Sequence, residues 1–177
     1  MHKLRSWIIL LFMIIIWGCG RAQKNLEHYG PFLAISRDDL EKQDVGVEFE
    51  PQITYDKPAF VDVNGYQGAI MITYSGEGHG DFGYFIHFYE REQAAQDQFL
   101  VKSEDLRQTA DFIIEENSSP RQFLLARFVN SAGKENLLYH LRYRRYILVI
   151  LSFSSKVPSQ IMKDIGELLI KRLDRMR

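Results

Sequence analysis

The sequence predicts an α+β fold, one antiparallel sheet with helices packed on it, and three observations carry that expectation. Two pairs of aromatic and β-branched runs, Tyr66 to Tyr89 and Leu137 to Phe153, are each followed by a segment of helical periodicity. The run Tyr146 to Phe153 is apolar on both faces, the pattern of a central strand covered twice. The chain's 177 residues, 46% hydrophobic and 25% charged, suit a single folded domain.

Ser36, followed by Asp38, Asp39 and Glu41, reads as the capped start of a short helix, because a Ser oxygen and an acidic first turn satisfy orphan backbone donors. Val45, Val47, Phe49, Ile53 and Tyr55 then alternate with Glu48, Glu50, Gln52 and Thr54, a half-exposed strand that is bulged or at a sheet edge near Pro51. Tyr66 to Ser75 and Phe82 to Tyr89 form a hairpin across a Gly-rich segment. From Arg91 to about Gln108, Ala95, Phe99 and Leu106 mark one face of a helix. Shorter strands follow at Ala110 to Glu116 and Gln122 to Val129. Leu137, Tyr139, Leu141 and Tyr143 alternate with polar partners, and Arg144-Arg145 makes a tight turn without the Gly or Asn that such turns favour. The last helix is the plainest, with Pro158 at its start and Ile161, Ile165, Leu168, Leu169, Leu173 and Met176 at helical spacing. Lys171, Arg172, Arg175 and Arg177 crowd its carboxyl end, where the helix dipole favours cations. Strand, strand, helix therefore occurs twice, the outline of a repeated unit. The plan is distantly similar to the α/β/α sandwich of the extrinsic photosystem lipoproteins, a likeness of fold that implies no function.

The amino terminus speaks to location. Lys3 and Arg5 precede the unbroken apolar run Trp7 to Trp17, and Gly18, Cys19 and Gly20 follow, which is the layout of a secretory signal peptide. Eleven helical residues reach only about 16 Å, too short for a bilayer core of about 30 Å. Ile16-Trp17-Gly18-Cys19 resembles the lipobox of bacterial lipoproteins, with Trp17 standing where the pattern usually has a small or aliphatic residue. The resemblance implies cleavage between Gly18 and Cys19, a diacylglyceryl thioether on Cys19, and an acylated amino group bearing a palmitate-type chain. More than one acyl chain gives a stable anchor. By the same resemblance, Gly20 rather than Asp at the second mature position favours the outer membrane in a two-membrane bacterium. The expected organisation is a signal peptide over 1–18, a lipidated amino terminus and short tether over 19–25, and a globular domain over 26–177. Without the first eighteen residues, 159 remain with 20 basic and 23 acidic side chains, a formal charge of -3.

That charge lacks the basic footprint of a nucleic-acid binder. One cysteine permits neither an internal disulfide nor a Cys-based zinc site. Gly78-His79-Gly80-Asp81-Phe82-Gly83 matches GxGxxG in letters, but a strand follows where a phosphate loop needs a helix. The kinase signature Asp-Phe-Gly falls on Asp81 to Gly83 without the lysine-bearing strand or the catalytic loop. His79, His87 and His140 with Tyr89, Tyr139, Tyr143 and Tyr146 offer ligand types for iron, yet no pair has ligand spacing on a helix, and strand histidines are more often surface or packed. Asn117-Ser118-Ser119 spells a glycosylation sequon, which a bacterial envelope does not use. Neither catalytic, cofactor-binding nor metal residues are assigned. Tyr84, Phe85, Phe88 and Tyr89 put aromatics on both faces of one strand, meaning a doubly covered sheet or a face left open for a peptide, glycan or lipid. The leading expectation is a non-enzymatic binding module held at the membrane through Cys19. The alternatives are an envelope hydrolase or lipid-modifying enzyme, and an assembly or maintenance factor that recognises an envelope protein through a sheet edge.

Overall fold

The computed structural model describes residues 26–43, 45, 50–56, 65–75, 82–118, 121–129, 133–152 and 158–176. The signal segment, Gly18, Cys19, His79 and Asp81 lie outside the described residues. The chain forms an α+β fold in which a seven-stranded antiparallel sheet carries helices on both faces. In order along the chain come helix α1 (26–33), α2 (Arg37–Glu41), β1 (Gln52–Asp56), β2 (Tyr66–Tyr74), β3 (Phe82–Tyr89) and α3 (Glu92–Thr109). They are followed by β4 (Phe112–Asn117), β5 (Phe123–Val129), β6 (Glu135–Tyr143), β7 (Tyr146–Ser152) and α4 (Ser159–Asp174).

The strand order is β1-β2-β3-β7-β6-β5-β4, so the last strand in sequence is the middle one in space. Its position explains the apolar character of both its faces. Tyr146, Leu148 and Ile150 join the larger core beneath α1, α2 and α4, while Ile147 and Val149 meet Ala95 and Phe99 of α3 on the other side. β1 and β4 are the edges, as the alternation around Ile53 and Tyr55 suggests for the first of them. The two strand-strand-helix units recur in order, but α3 and α4 lie on opposite faces. A two-fold axis relating antiparallel β3 and β7 runs through the sheet and places both helices on one face, so the order repeats without the symmetry.

Helix α1 was not expected, and its sequence explains why. Gly30 and Pro31 sit inside it, and each is a poor residue for a helix interior. Pro31 has no N–H to give the carbonyl of Glu27 four residues earlier, and Tyr55 Oη of β1 donates to that carbonyl at 3.2 Å. Gly30 makes room for this contact: a Cβ there would overlap the Tyr55 hydroxyl and lie 3.0 Å from Ile53 Cγ2. The two helix breakers thus form the socket by which α1 grips the edge strand.

The link between α1 and α2 is fixed from below. Tyr84 is fully buried, donates to Leu33 O at 2.9 Å and accepts from Ile35 N–H at 3.0 Å. Tyr74 Oη donates to Ile35 O at 2.9 Å. The two hydroxyls are 3.1 Å apart, and the two carbonyls take their two protons. From α4, Arg172 donates to Phe32 O at 2.7 Å, to Ala34 O at 2.8 Å and to Asp39 Oδ2 at 3.0 Å, satisfying carbonyls at the end of α1 that have no helical partner. Ser36 caps α2 as the sequence suggests, accepting from Asp39 N–H at 3.2 Å.

Two substitutions test this account. Tyr84→Phe strands the buried Ile35 N–H and Leu33 O and should cost about 1–3 kcal/mol in urea unfolding. Gly30→Ala, which improves helix propensity by about 1 kcal/mol, should nonetheless destabilise by a similar amount because it displaces Tyr55. A stabilised Gly30→Ala protein contradicts the socket.

Candidate binding site

The two helical layers cover the sheet unequally. α4 buries Met162, Ile165, Gly166, Leu169, Ile170 and Leu173, a broad apolar face. α3 buries only Ala95, Phe99 and Ser103, a stripe one residue wide at i, i+4 and i+8. On the α3 side, Met71, Phe85 and Val149 are consecutive cross-strand neighbours of β2, β3 and β7, and all three are partly exposed. A second row on the same side holds Asp56, Ala69, His87 and Ile147.

Around His87 lies a small polar and aromatic cluster. Its ring stacks at 6.2 Å and 12° on Phe85 and at 6.0 Å against Tyr66. Tyr66 Oη donates to Asp56 Oδ2 at 2.8 Å, and burial together with that carboxylate pushes its phenol well above the ordinary value. Burial lowers the His87 pKa, and the Asp56 charge opposes the shift. Such a strip can hold an apolar or aromatic group by stacking and offers Asp56 to a donor.

His140 is a packed histidine, one of the two readings open to it from sequence. It is 2% exposed, stacks on Phe99 at 4.5 Å, and its Nδ1 lies 3.2 Å from Ser103 Oγ. Burial first, then the charges of His87 and Lys102, push its pKa down to about 3. Ser103 is 1% exposed, so this Ser-His contact offers no nucleophile to a substrate. Sequence reasoning missed Ser103 because its partner is 37 residues away in another element. Among the described residues, no three His, Cys, Asp or Glu side chains converge on a metal-sized position. Of the tyrosines weighed as ligands, Tyr89 and Tyr139 are core residues, Tyr143 donates to Asp174 Oδ1 at 2.7 Å, and Tyr146 is buried against Phe88.

Two clefts open at one end of the sheet, on either side of the β6–β7 turn. The first, of about 180 Å³, lies between α1 and the sheet and is lined by Leu26, Tyr29, Gln67 and Phe88, with Arg145, Tyr146 and Met176. The second, of about 210 Å³, shares Arg145 and Tyr146 and adds Glu92, Tyr143, Arg144 and Leu173. The turn between them has Arg144 at φ +52°, in the left-handed region that favours glycine. Its register is nevertheless fixed: Tyr143 pairs with Tyr146, and Arg142 donates to Arg144 O at 3.2 Å.

No protein-family model and no curated protein matches the chain in sequence. The chain is similar in fold to the extracellular domain of PknH from Mycobacterium tuberculosis. The likeness has a TM-score of 0.58 at 9% identity and covers 84% of this chain and 96% of the PknH domain. At that identity it establishes shared architecture only. No helix among the described residues is long and apolar enough to cross a membrane.

The buried His140 predicts a pH dependence of stability. Its folded pKa lies below the unfolded value near 6.5, so the unfolded chain binds the proton first as pH falls. The contribution is fully present above pH 6.5 and is lost toward pH 3, with a slope of at most about 1.4 kcal/mol per pH unit. Urea unfolding at pH 7 and pH 5 should show the loss in the wild type and a flatter dependence in His140→Gln, with His87 supplying the remainder.

Proposed function

We propose that the chain is an exported, lipid-anchored binding module of the cell envelope. The observation that carries this reading is Ile16-Trp17-Gly18-Cys19 at the end of a short apolar run behind a charged start. Leu26, a buried core residue, stands only seven positions after Cys19 in the sequence, so acyl chains on that cysteine would hold the domain close to the lipid surface. The likeness to a domain described as extracellular is consistent with an envelope location.

Binding is favoured over catalysis by the sheet face beside α3, where Met71, Phe85 and His87 form a partly exposed aromatic and thioether strip. The Ser-His contact found among the described residues is sealed beneath α3. A peptide, glycan or lipid with an apolar or aromatic group suits the strip. Confinement at the membrane raises the local concentration of the module toward such partners without any new contact.

Mass spectrometry of the protein extracted from host membranes should find residues 1–18 absent and Cys19 carrying a diacylglyceryl group. Cys19→Ser should abolish that modification and release or mislocalise the chain. An unmodified Cys19 in membrane-extracted wild type refutes the anchor.

A further inference from the structure

We propose that the cleft between α1 and the β6–β7 turn seats the phosphate head of an anionic membrane lipid, with Arg145 as its cationic ligand. The proposal rests on the lipid anchor described above, because the anchor decides which end of the domain meets the bilayer. Leu26 lines the cleft, and the seven steps of chain from Cys19 to it span at most about 25 Å when fully extended. The cleft therefore opens at the end of the domain held nearest the lipid headgroups.

The chemistry of the cleft selects an anion. Arg145 is exposed and no carboxylate pairs with it among the described residues; its Nε lies 3.4 Å from Tyr146 Oη and its guanidinium 5.6 Å above that ring. Other arginines of the domain are engaged: Arg144 with Asp174, Arg172 with Asp39, and Arg107 with Glu104 and Glu116. Among the described residues no acidic side chain lines the cleft, whereas the neighbouring cleft contains Glu92 and so disfavours a phosphate. Gln67 and the hydroxyls of Tyr29 and Tyr146 supply further donors, and Leu26 and Met176 supply an apolar border. About 180 Å³ accommodates a phosphodiester and its glycerol carbons rather than an acyl chain, which stays in the bilayer.

The turn is built to present Arg145 in a fixed place. Arg144 occupies a backbone conformation that costs a side chain about 1–2 kcal/mol and costs glycine nothing. It is held there by Asp174 at 3.3 Å and lies 5.0 Å over the Tyr143 ring. The neighbouring backbone is tied down too, since Tyr89 N–H donates to Arg145 O at 3.0 Å.

The test uses the full lipidated protein reconstituted in vesicles of phosphatidylcholine alone and of phosphatidylcholine mixed with phosphatidylglycerol. Amide hydrogen exchange over 26–30 and 143–147 should be about fivefold slower with phosphatidylglycerol, the factor that corresponds to about 1 kcal/mol for one arginine near an anionic surface. Arg145→Gln should remove the difference, and Arg145→Lys should keep part of it. Equal exchange in both vesicles, for protein whose Cys19 acylation has been verified by mass, overturns the proposal. So does slowing that survives Arg145→Gln. Inorganic phosphate that produces the same slowing in phosphatidylcholine vesicles assigns the cleft to a free anion and overturns the lipid. If Cys19 is unmodified, the anchor reading fails by itself. The same comparison with the unanchored chain mixed with vesicles then decides the cleft, slowing supporting it and equal exchange overturning it.

Discussion

Two buried tyrosine hydroxyls hold the beginning of the domain to the middle of its sheet, and much of the molecule follows from that attachment. The segment joining α1 to α2 crosses over the ends of β2 and β3 with backbone groups that water cannot reach. Tyr84 and Tyr74 satisfy Leu33 O, Ile35 N–H and Ile35 O. Without such partners, each of those buried groups would cost about 1–3 kcal/mol. Once the segment is seated, Leu33, Ile35 and Leu40 complete the larger core, and α1 lies where Tyr55 can meet the carbonyl released by Pro31. Arg172 closes the arrangement from α4, so α1 and α4 are joined through the same stretch of backbone.

Unequal coverage of the sheet separates stability from recognition. The face under α1, α2 and α4 is closed and dominated by large side chains that are fully buried. The face under α3 is closed only along one stripe, which ends at the contact between Ser103 and His140. Beyond that stripe the strands present aromatic, thioether and carboxylate groups that contact one another and that α3 leaves partly uncovered. A binding function draws on surfaces of this kind, since a ligand can complete the burial that the protein leaves unfinished.

The elements legible in the sequence were those whose periodicity coincides with burial. The hairpin of β2 and β3, the central position of β7, and α4 follow from alternation and from a heptad-like stripe, and the structure places all of them as expected. α1 was hidden because its stabilising contacts come from Tyr55, Tyr84 and Arg172, while its own Gly30 and Pro31 argue against a helix. The amphipathic pattern of α3 was readable at Ala95 and Phe99, but a buried serine has no signature without its histidine. The clefts at the β6–β7 turn were not readable at all. They are assembled from five separate stretches of chain, among them Leu26, Gln67, Phe88, Arg145 and Met176, which only the closed sheet brings together. The proposed lipid attachment is the opposite case, a short local pattern that depends on no fold.

The central place of β7 also governs the order in which the protein can be completed. β1 to β3 and β4 to β6 can each pair as they emerge, but the two groups share no ladder with one another. Each leaves a long unpaired border, at β3 and at β6, until Tyr146 to Ser152 has left the ribosome and slots between them. A chain cut short before that strand is two half-sheets with sticky margins rather than a smaller version of the domain. Assembly of the full sheet therefore waits on β7, the strand that joins the two groups.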